Sequence, residues 1–148
     1  MIDQNWPRWI KASCAKHFDS LRQGVFLYID GMDRDTAKIK DFAEFRMDGP
    51  RTEELSLNEY RLTVTINVLV QHTMNEADMY GFERTMGVFQ AAFTPDISVY
   101  RYGDDQSFVG CLRRDNPIKY NNFGVTDAIV RVQQGTLEAR YIMEVLNG

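Results

Sequence analysis

Histidine and cysteine are almost missing from this chain: two of each occur in 148 residues. A metal centre needs several such side chains converging, so His17 and His72 read as packing or surface residues. Cys14 and Cys111 lie far apart and in no CxxC pattern, which reads as two reduced thiols of a cytosolic protein rather than a disulfide. No run approaches the roughly 18 apolar residues of a membrane-spanning helix, so no membrane partner is expected. The start, MIDQNWPRW, lacks the basic-then-apolar order of a signal peptide. The net charge is −4, and no block of like charge occurs. That argues against a binder that works by neutralising phosphates, but not against a protein that lets DNA pass without holding it.

The usual marks of catalysis are missing too. There is no G-x-S-x-G, no G-x-G-x-x-G and no Walker sequence. Asp30, Asp33 and Asp35 miss the calcium-loop spacing and read as a solvated acidic loop. Glu53-Glu54 and Asp104-Asp105 sit in polar sequence, where nothing would raise a carboxyl pKa enough for acid–base work. The expectation is a protein that is not an enzyme and needs no cofactor or metal.

What the chain does have is a globular balance, with 44% hydrophobic and 26% charged residues. Its length suits one domain over residues 1–148. The strongest pattern is Tyr60 to Gln71, YRLTVTINVLVQ. Tyr60, Leu62, Val64, Ile66, Val68 and Val70 form an apolar series. Arg61, Thr63, Thr65, Asn67, Leu69 and Gln71 form a polar one, broken by Leu69. A period of two over this length predicts a half-buried strand of roughly 40 Å, about twice the ordinary length.

Two stripes of helical period flank it. Ile10, Cys14, His17, Phe18 and Leu21 form the first, with Asn5 as N-cap, Pro7 in the first turn and Gly24 as the stop. Met79, Phe82, Met86, Phe89 and Phe93 form the second, with Asn75 or Asp78 as cap and Thr94-Pro95 as the end. Gly81 and Gly87 weaken that helix, and close approach to a sheet would rationalise them. Val25–Asp30 and Asp41–Gly49 read as strands, and Gly49-Pro50 reads as a turn. Residues 31–40 and 49–59 read as loops. The last third reads as strands, closing with TLEARYIMEV, which places Leu137, Ala139, Tyr141, Met143 and Val145 on one face. The fold class expected is α+β: a single mixed, mostly antiparallel sheet with two amphipathic helices packed on one face.

The order of these segments resembles the tail terminator, or tail-completion, proteins of long-tailed bacteriophages. The segments that carry the likeness are VFLYIDG, DFAEFRMDGP, LSLNEYRLTVTINVLVQ, MYGFERTMGVFQAAF, VYRYGDDQSFVGCL and GTLEARYIMEV. The resemblance implies a virion protein, assembled in the host cytoplasm, whose copies form a ring, usually of six. Such a ring caps the tail tube protein, stops its polymerisation and presents a surface to the head connector or stopper, with DNA passing through the channel unbound. A ring joins two different faces of each copy. Arg61, Thr63, Thr65, Asn67 and Leu69, on the polar side of the long strand, are the candidate interface residues; plain solvent exposure is the equal alternative. The acidic balance would suit a channel that repels DNA. The rival roles are a head-closure stopper, a tube subunit or a minor tail protein, and beyond those a small cytosolic enzyme or ligand-binding domain. A tube subunit usually needs a longer hairpin than loops of this size provide.

Overall fold

A computed structural model describes residues 3–30, 41–74, 78–126 and 131–146. Helix α1, Trp6–Ser20, comes first, then the short strand β1, Leu27–Ile29. Strands β2, Phe42–Ser56, and β3, Glu59–Thr73, form a hairpin. Helix α2, Gly81–Ala92, follows, and then β4, Ile97–Tyr100; β5, Phe108–Arg114; β6, Lys119–Thr126; and β7, Val132–Leu146. The seven strands make one sheet in the order β1-β2-β3-β7-β5-β4, with β6 paired to β7. Among the described strands only β1 and β2 run parallel, so the sheet is mixed and mostly antiparallel, and the α+β class holds.

The long alternating run is a strand, and longer than its pattern: β3 has 15 residues and pairs along its whole length with β7. Its even residues Leu62, Val64, Ile66, Val68 and Val70 are buried, and its odd residues are half-buried. Opposite residues in an antiparallel pair share a face, so Leu137, Ala139, Tyr141, Met143 and Val145 join the same core. Helix α1 packs over β2 and β4, and α2 over β3 and β7. Phe18 of α1 packs edge-on to Phe93, whose ring stacks on Tyr141, and the Tyr141 hydroxyl donates to the Phe93 carbonyl at 2.6 Å. Burial raises the Tyr141 phenol well above its ordinary pKa and pushes the Cys14 thiol up to about 12, so both stay protonated.

Several expectations need correcting. Gly49-Pro50 does not end its strand. β2 runs through it by way of a bulge between Asp48 and Arg51, so most of the expected loop 49–59 is strand. Gly49 takes a φ of +107°, and a Cβ there would meet the Thr63 carbonyl at 2.8 Å, so the bulge needs glycine. Met79 is not on the helix stripe; it precedes α2 and is 65% exposed, while Ala92 takes the inward place. Tyr80, not Asp78, occupies the α2 N-cap position, and Asp78 pairs instead with Arg84. Gly81 does permit close approach, since a Cβ there would strike the His72 ring at 2.2 Å; Gly87 faces open space and permits none. Asn5 sits at the α1 N-cap without a side-chain bond, and the helix ends at Ser20, before Gly24. Asp33, Asp35 and Asn75 lie outside the described residues.

Candidate assembly surfaces

The side of β3 away from α1 and α2 carries all five candidate residues, and β2 and β7 set them in rows. Arg61 lies between Glu53 and Glu144, Thr63 between Arg51 and Ile142, Thr65 between Asp48 and Arg140, Asn67 between Arg46 and Glu138, and Leu69 between Glu44 and Thr136. Each is half-buried, because its row neighbours shield it from either side. Acid and base alternate along and across the rows. Arg61 meets Glu144 at 3.2 Å, Arg51 meets Asp48 at 3.2 Å, Arg140 meets Asp115 at 2.7 Å, and Arg46 pairs with Glu44. Exposed pairs of this kind contribute little stability each. The four pairs balance, but Glu53 and Glu138 in the same rows form no ion pair among the described residues, so the rows keep a small acidic excess. The Nε of Arg61 is buried with no hydrogen-bond partner among the described residues.

A second surface was not anticipated. Beyond the bulge every residue from Arg51 to Asn58 is exposed, and β2 from Arg46 onward pairs with no strand on its outer edge among the described residues. This half of the hairpin is an arm with an open edge. Leu55 and Leu57 stand near its tip at 38% and 83% exposure. Proteins generally blunt such edges with charge, as Arg51, Glu53 and Glu54 do here. The sequence signal was available in the TEELSLNE segment, where two leucines interrupt a polar run, but a loop explains that composition equally well.

No protein-family model matches this chain, and no curated protein matches it. A solved structure does. It superimposes with a TM-score of 0.56 at 13% identity, over 91% of this chain and 93% of the other, and it carries a sequence identifier in place of a functional name. That likeness shows a shared fold.

Several polar side chains tie the elements together. His17 Nε2 lies 2.8 Å from the Ala92 carbonyl and ties α1 to the end of α2. His72 Nδ1 lies 2.9 Å from the Thr73 carbonyl. Ser13 accepts from the Tyr100 amide at 3.0 Å, which fixes α1 to β4. Asp104 accepts from Trp9 Nε1 and from Arg8, both at 2.9 Å, and clamps the loop after β4 to α1. No cluster of three or more His, Cys, Asp or Glu side chains stands close enough to hold a metal ion among the described residues. No helix is long and apolar enough to cross a membrane among those residues.

Proposed function

We propose that this chain is a structural subunit of a phage tail, a terminator whose copies form a ring on the end of the tail tube and join it to the head. The observation that supports this reading most is the distal arm of β2. Eight consecutive exposed residues, Arg51 to Asn58, follow an edge that only β3 backs among the described residues, and none of their side chains is buried. Ordering a chain costs about 1–2 kcal/mol per residue, so an arm that buries nothing is best explained by a partner. The charge rows around Thr65 and Asn67, where Arg46, Arg51 and Arg140 are each paired with a carboxylate, give a second, polar surface that a neighbouring copy or a water-filled channel would meet. The protein works in the virion, without a cofactor, and DNA slides past it.

The test is a mass measurement and negative-stain imaging of the purified protein, alone and with tail tubes. The expected result is closed rings that sit at tube ends and stop elongation. A monomer that leaves tube length unchanged would sink the reading.

One observation favours a second role. The hairpin is longer than the sequence suggested, because residues 49–56 are strand. A tube subunit uses such an arm to stack ring on ring. Unlimited tubes growing from the purified protein alone would decide for that role over the terminator.

A further inference from the structure

A shallow groove runs beside α1, between the helix and Ile29 of β1. Pro7, Ala12, Ala15 and Ile29 give it an apolar floor, and Arg8 and Lys11 stand on its rim. Arg8 is held by Asp104, but Lys11 is exposed and has no charged partner among the described residues. The tip of the arm has the complementary make-up. Leu55 and Leu57 project from it, and Glu53 and Glu54 beside them form no ion pair among the described residues. Gly49 lines the groove at the root of the arm. The tip stands seven or eight strand residues farther out, roughly 25 Å at about 3.3 Å per residue, so it cannot reach the groove of its own chain.

We propose that the arm tip of one copy docks in the α1 groove of the next, with Leu57 on the apolar floor and Glu54 against Lys11. The occupant is a second copy of this chain. Charge complementarity selects it: an acidic, leucine-bearing tip fits an apolar groove with an unpaired lysine on its rim. Tip and groove are different patches, so the contact is head-to-tail and propagates until a ring closes or a fibre grows. The inference rests on the surface of one chain and not on a tail role.

The test uses two charge reversals, Lys11→Glu and Glu54→Lys, followed by analytical ultracentrifugation. Each variant alone sets like charges against each other at every contact and should need about tenfold more protein to assemble than wild type. Mixed in equal amounts, the two variants can alternate, and every contact then joins opposite charges again. Assembly of the mixture should return to within about threefold of wild type, a rescue that a generally damaged fold would not give. Leu57→Asp should be monomeric at concentrations where wild type assembles. The proposal is overturned if wild type stays monomeric at all concentrations, if Leu57→Asp assembles like wild type, or if the mixture assembles no better than the single variants. Assembly by this contact with no effect on tail tubes would refute the tail reading and leave this one standing.

Discussion

The two halves of β2 obey different rules. From Phe42 to Met47 the strand has β1 or the helices against it: Phe42, Ala43 and Phe45 are buried, and Phe45 packs on Phe18. From Arg51 to Ser56 it has β3 on one edge and little else, and every side chain is exposed. The ladder to β3 runs through both. What distinguishes them is burial and the outer edge, which β1 pairs at Ala43 to Phe45 and no strand pairs beyond, among the described residues. The first half is held by the core, whereas the second is held only by continuity with β3, whose own inward residue Leu62 remains buried opposite Thr52. Such a division separates the part of the chain that folds the domain from the part available to a partner.

Substitutions of graded severity can break or sharpen that division. The largest effect is expected from Val64→Asp. Val64 is 0% exposed among apolar neighbours, and a carboxylate there would be buried without a partner. The variant should show no cooperative unfolding transition by circular dichroism; a normal melt would mean that the faces of β3 are reversed. Phe18→Ala comes next. The ring packs against both Phe45 and Phe93, and its removal leaves a cavity costing about 3–5 kcal/mol in denaturant unfolding. Tyr141→Phe keeps the ring and removes the hydroxyl that donates to the Phe93 carbonyl, which should cost about 1–2 kcal/mol on the same measurement.

The proximal half and its core were legible because burial writes itself into sequence. Val64, Ile66 and Val68 alternate with polar residues since only one side of β3 is covered, and Phe82, Met86 and Phe89 recur at helical spacing for the same reason. The arm was illegible because its side chains are exposed on both sides, from Arg51 to Asn58. Thr52 and Glu54 share a face with Leu62 and Tyr60 yet are polar, so the period of two disappears. Gly49-Pro50 then looked like a turn, although the glycine serves a bulge in a strand that continues. Met79 was assigned to the core by spacing alone; the helix starts later, at Gly81, where the His72 ring leaves no room for a side chain. Leu69 broke the polar series as read from the sequence. It stands between Glu44 and Thr136 and is half-buried by them, which explains its tolerance on that face.

The smallest effects should come from the surfaces reserved for partners, and they test the comparison most directly. Thr65→Asp places a carboxylate between Asp48, which repels it, and Arg140, which attracts it. The two effects oppose each other across the ladder, so the change in stability should stay within about 1 kcal/mol. Leu57→Asp alters a residue that is 83% exposed at the arm tip, and it should leave the thermal midpoint of the isolated chain within the equivalent of about 0.5 kcal/mol. Measured under conditions that keep the protein monomeric, a loss of several kcal/mol at Leu57 would show that the tip packs against its own domain. The division between a folding half and a docking half of β2 would then fail. An unchanged midpoint combined with lost assembly would instead place the function of Leu57 outside its own chain, because a side chain that contributes nothing to folding can act only through a contact the monomer does not make.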